Sequence, residues 1–111
     1  MDIRSGCGYP AASLSNFTPH RFVIDGVECF SMEGFLQSLK FEKIHIQEEI
    51  CKLTGRYAKQ RGKSRNKTWQ RVQLLWWKGK PMRRDGEPYQ KLLDRAYEEM
   101  FIQSESFRNA L

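Results

Sequence analysis

The chain has 111 residues and carries 19 Lys and Arg against 13 Asp and Glu, for a net charge of +6. A hydrophobic content of 40% with 13% aromatics suits one small globular domain with a single core, and excludes a disordered polypeptide. No apolar run reaches the roughly 20 residues of a membrane-spanning helix, and the N-terminus Met1-Asp2-Ile3-Arg4-Ser5-Gly6 has no hydrophobic leader core, so the expected location is the cytoplasm, with no membrane partner.

Residues 1 to 13 read as irregular, punctuated by Gly6, Gly8 and Pro10, and Leu14 to Pro19 as a polar loop. Arg21-Phe22-Val23-Ile24 and Val27-Glu28-Cys29-Phe30 flank Asp25-Gly26. An Asp-Gly pair between short apolar runs predicts a type I′ hairpin, because both central residues must take positive φ. Ser31 then caps a first helix to about Phe41, its hydroxyl accepting from an orphan first-turn N–H. A second helix is expected over Ile44 to Leu53. Thr54 is placed to cap a third, from Gly55 to Arg61, which Gly62 ends. After a basic loop, Lys63 to Lys67, a fourth helix is expected to carry Trp69, Val72, Leu75 and Trp76, with Trp77 beside them, and to stop by Gly79 and Pro81.

Pro88 suits a first helical turn. Behind it Tyr89, Leu92, Leu93, Ala96, Tyr97, Met100 and Phe101 repeat at helical spacing, so one face of a long helix packs on the core. Ser104 can cap a short last helix. The predicted fold is therefore mainly α (α+β), an irregular bundle of short helices with a small N-terminal antiparallel β-hairpin, in a single domain over 1–111.

Cys7, Cys29 and Cys51 are widely spaced and odd in number, and His20 and His45 complete no metal-ligand spacing. Buried free thiols fit better than a zinc site, and no Gly-rich phosphate loop is present. Charge is more telling. Twelve of the 19 basic residues fall between Lys52 and Arg84, a segment without Asp or Glu. Such a band suits an anionic partner, a phosphate-bearing ligand or a nucleic acid, and otherwise is a solvated basic face.

Within the first helix, Glu33 and Gln37 stand one turn apart on one stripe while Phe35, Leu36 and Leu39 lie opposite. Read locally, Glu33 is the first-turn acid of an ordinary helix; read with the basic band, it is a carboxylate near a phosphate site. Lys59, held on a helix, suits a phosphate. Trp69, Trp76 and Trp77 fit either the core or base stacking.

Taken in order, several of these features resemble the YbiA-like or NADAR family. They are Leu14-Ser15-Asn16-Phe17, the Asp25-Gly26 turn, Ser31-x-Glu33-x3-Gln37-x2-Lys40, Ala58-Lys59-x2-Gly62 and Trp69. The resemblance implies an N-glycosidase acting on a phosphorylated or ADP-ribose-linked nucleoside-like substrate, such as a riboflavin-pathway intermediate or ADP-ribosylated guanine. Glu33 would be the catalytic carboxylate. Asn16, Phe17, Ser31, Gln37, Lys40, Lys59 and Trp69 would bind substrate. No metal or cofactor is implied. The partner would be a phosphorylated nucleotide-like molecule or ADP-ribosylated nucleic acid. Gly34 stands where many members have histidine, and the chain stops at Asn109-Ala110-Leu111, where the family continues. The resemblance thus implies a C-terminally shortened domain, in which exposed core can favour a homo-oligomer. The alternative function is a non-catalytic module that binds ADP-ribose, nucleotide or nucleic acid.

Overall fold

A computed structural model of the chain describes residues 19–110. Two short antiparallel strands, β1 (Phe22–Ile24) and β2 (Val27–Cys29), pair with Phe22 opposite Cys29 and Ile24 opposite Val27. Asp25 and Gly26 take φ of 50° and 80°, the two positive values a type I′ turn demands. Alternation along the strands sends Phe22, Ile24, Val27 and Cys29 inward and leaves Val23 and Glu28 exposed.

Helices α1 (Met32–Ser38), α2 (Ile44–Cys51), α3 (Gly55–Lys63) and α4 (Asn66–Val72) follow. Next come strands β3 (Leu74–Trp77) and β4 (Lys80–Arg83), then the long α5 (Glu87–Gln103) and α6 (Glu105–Ala110). The fold is mainly helical, with small antiparallel hairpins set among short, unequal helices. Among the described residues no helix is long and apolar enough to cross a membrane.

The core lies between β1–β2, α1 and α5. Helix α5 buries Leu92, Leu93, Ala96, Tyr97 and Met100 and packs on β1. Its stripe ends there, since Phe101 is exposed. Phe35 stands at the centre, its ring edge-on to Phe22 at 6.1 Å and to Trp77 at 5.1 Å, the geometry that ring quadrupoles favour. Cys29 and Cys51 are buried free thiols; Cys7 lies outside the described residues. Ser104 caps α6 by accepting from Phe107 N at 3.2 Å.

Four expectations are corrected. Leu74 to Trp77 form a strand, not the end of a helix. A four-residue apolar run is compatible with either state, and Gln73 at φ 56° breaks the helix before it. Lys78 and Gly79, at φ 52° and 85°, then make a tight turn into β4. Helix α1 closes at Ser38 rather than near Phe41, and the Leu39 carbonyl accepts from Trp76 N at 2.8 Å, outside the helical ladder. Gly62 lies inside α3, where its missing side chain permits a close approach, and Thr54 stands at the α3 N-cap position without a side-chain hydrogen bond.

Candidate functional site

Ser31 fixes the start of α1. Its Oγ accepts from Gly34 N at 3.0 Å and donates to Leu53 O at 3.0 Å, so both partners are internal and the side chain is fully buried. Ser31 is thus a cap that ties α1 to the segment after α2, and the structure does not bring it to a cleft. Gly34 serves the same junction. A Cβ there would stand 2.6 Å from Leu53 O and 2.9 Å from Ile50 O.

One turn further, α1 carries polar groups into a poorly hydrated place. Glu33 is only 7% exposed. Gln37 Nε2 donates to Glu33 Oε2 at 2.5 Å, the i, i+4 contact expected of one helical stripe. The other amide atom, Gln37 Oε1, is buried with no hydrogen-bond partner among the described residues. Gly62 of α3 covers it so closely that a Cβ at Gly62 would lie 2.7 Å from Gln37 Cδ. An orphaned buried acceptor costs about 1–3 kcal/mol, a cost that native structures rarely carry without reason.

Two turns from Glu33, Lys40 Nζ donates to Asn66 Oδ1 of α4 at 2.6 Å. Burial pushes the Lys40 ammonium below its ordinary range, the nearby Glu33 charge pulls it back up, and Lys59 adds to the lowering. Glu33, Lys40 and Lys59 therefore share one electrostatic neighbourhood. Helix α3 supplies the rest. Its small buried residues Ala58 and Gly62 let it lie against α1. Its stripe Arg56, Lys59, Gln60 and Lys63, at i, i+3, i+4 and i+7, then forms one wall of a cleft of about 460 Å³. Gln37, Lys40 and Asn66 line the opposite side. Four cations and no acid border this space. Its volume falls within the range of small-molecule sites, and Glu33 lies directly behind Gln37.

Of the residues expected to act together, Glu33, Gln37, Lys40 and Lys59 are brought together. Asn16 and Phe17 lie outside the described residues, as does the Trp69 side chain. Arg56, Gln60, Lys63 and Asn66 were missed by the motif reading. The signal for three of them was present, as the polar stripe of α3 flanking Ala58 and Gly62.

The sequence matches bacteriophage protein GP30.3 over residues 8–111. It is 38% identical over 111 residues to an uncharacterized 17.1 kDa protein from the Gp30-rIII intergenic region of Enterobacteria phage T4, covering 100% of this chain and 72% of that relative. No solved structure matches. The chain belongs to the GP30.3 family. This match overturns the resemblance to the YbiA-like or NADAR family. The fragments behind that resemblance have local explanations. Asp25-Gly26 is a turn, Ser31-x-Glu33 is a capped helix start, and Ala58 and Gly62 are spacers between helices. Such signals recur wherever the same local geometry is needed.

Proposed function

We propose that this GP30.3-family chain binds a phosphorylated nucleoside-like ligand in the cleft between α1 and α3 and hydrolyses its N-glycosidic bond, with Glu33 as the catalytic carboxylate. The observation that carries the proposal is a buried carboxylate bonded to Gln37, a lining residue of a cleft bordered by four cations and no acid.

The chemistry follows from charge. Breaking an N-glycosidic bond develops positive charge on the ribose ring. A carboxylate held away from water stabilises that charge strongly and can orient or deprotonate the attacking water. Arg56, Lys59 and Lys63 suit the phosphate, because they approach from one helix and no competing anion lines the cleft. Gln37 fixes the Glu33 carboxylate by its 2.5 Å bond and separates it from the cleft. In this reading the Gln37 amide swings aside when substrate enters. No metal or redox cofactor enters the reading.

The test is Glu33→Gln, which preserves shape and removes the charge. Release of free base from nucleoside phosphates, followed by chromatography, should fall by about 100-fold or more, with the circular dichroism spectrum unchanged. Turnover equal to that of the parent chain would remove Glu33 from the mechanism. A second reading, non-catalytic binding, is favoured by the position of Gln37 between Glu33 and the cleft. Calorimetric binding of nucleoside phosphates without any released base would select it.

A further inference from the structure

Beyond the cleft, on the far side of Lys40, lies a second hollow of about 110 Å³. Phe41, Ile46 and Trp76 give it apolar walls, and Arg65, Lys43 and Glu42 stand around its mouth. The Arg65 guanidinium lies 5.2 Å from the Phe41 ring centroid, a stacked cation–π arrangement. Trp76 is held in place through its backbone, which donates to Leu39 O at 2.8 Å. Lys40 lines both spaces, and its bond to Asn66 forms the strut between them.

The two spaces differ in what they can hold. The cleft offers cations and amides only, which suits phosphate. The smaller hollow offers an aromatic wall and a guanidinium plane, together with a carboxylate, Glu42. A carboxylate repels a second phosphate but accepts from an amino or ring N–H group. An apolar cavity of about 150 Å³ holds one benzene ring. A hollow somewhat smaller, and open on one side, admits the edge of a heterocycle while the rest stacks at the mouth.

We propose that the Phe41–Arg65–Trp76 hollow is the base-binding subsite of a bipartite site, so that the ligand is a nucleotide whose phosphates lie in the cleft and whose heterocycle crosses Lys40 to stack beside Trp76. The inference rests on the phosphate-binding part of the proposed function and adds to it where the base lies and what selects it.

The experiment compares inorganic pyrophosphate with ADP by calorimetry and tryptophan fluorescence on the full chain. Pyrophosphate should bind without changing Trp76 emission. ADP should bind at least about tenfold more tightly, since stacking one base contributes about 1–3 kcal/mol, and should quench the emission. Arg65→Ala and Trp76→Phe should reduce ADP affinity to that of pyrophosphate and leave pyrophosphate binding within about twofold. The Trp76→Phe chain should also lose the quenching; its backbone bond to Leu39 survives the substitution, so a folded variant is expected. Equal affinity for ADP and pyrophosphate in the parent chain would overturn the base subsite and leave the phosphate cleft standing. No binding of either anion would overturn both. Unchanged ADP affinity in both variants would place the base elsewhere.

Discussion

Two carboxylates mark two differently built sides of the molecule. At the β1–β2 turn, Asp25 accepts from both terminal nitrogens of Arg95, at 2.9 and 2.8 Å, and from Trp77 Nε1 at 2.8 Å. The Arg95 hydrogen bonds hold its carboxyl well below the usual carboxylate range, against a smaller opposing effect of burial, and Trp77 and the Lys78 charge lower it further. Glu33 is more buried, and the side-chain donor seen on it is one amide. On the hairpin side the Asp25 carboxylate is matched by Arg95 and Trp77, and the rings of Phe22, Phe35 and Trp77 pack edge to face nearby. On the α3 side Glu33 is held by the Gln37 amide, the oxygen of that amide has no partner among the described residues, and four cations border the cleft that Gln37 lines. Matched polar groups stabilise a fold. A buried polar atom without a partner calls for an explanation, and the ligand proposed for the cleft would supply one.

The sharpest way to break this comparison is one substitution made on each side of α1. Gly34→Ala drives a methyl into the carbonyls of Leu53, Ile50 and Cys51, which are backbone and cannot turn away. It should cost about 3 kcal/mol or more in urea denaturation. The nearest atoms that Gly62→Ala meets belong to the Gln37 side chain, whose amide end can rotate. Its stability cost should stay near 1 kcal/mol. By displacing the amide that positions Glu33, it should weaken nucleoside phosphate binding by about tenfold in calorimetry. Similar stability losses in the two variants would show that both sides of α1 are equally rigid.

A smaller effect is expected at the matched carboxylate. Asp25→Asn removes the charge that Arg95 pairs with, but both side chains are partly in water, so the loss should be about 1 kcal/mol. Because the folded-state value lies below the ordinary 3.8, the contribution is full above about pH 4 and is lost as the pH falls toward the folded value. Thermal melts of parent and variant should therefore differ at pH 6 and converge toward pH 2. A constant difference across that range would assign the effect to shape and not to charge.

The sequence was legible wherever one local requirement decided the outcome. Asp25-Gly26 demanded positive φ, Ser31 and Ser104 had orphan N–H groups to accept from, and the α5 repeat had one core to face. It was not legible where two outcomes share a pattern. Leu74-Leu75-Trp76-Trp77 suits helix or strand, and the deciding conformation belongs to Gln73, a residue with no propensity for it. The stripe of Glu33 and Gln37 was visible by spacing, whereas Lys40 entered only through the resemblance. The cleft itself was not, because it needs α3 to lie against α1, and that contact depends on the smallness of Ala58 and Gly62 rather than on any charged group. Neighbouring motifs also suggested a relationship with a family that the whole-chain match does not support.

Gln47, on α2, has a consequence for time rather than for energy. Its side chain is almost fully buried, donating to Ser38 O at 3.2 Å and Trp76 O at 2.7 Å and accepting from Lys78 N at 3.0 Å. One amide thereby clamps the end of α1, strand β3 and the turn after it. The Lys78 N–H sits in an exposed turn, yet it is released only when that clamp opens. Its exchange with solvent deuterium should be as slow as that of core amides and unlike that of other turn residues. The walls beside Trp76 are then set before any ligand arrives, and encounter need not wait for them to assemble.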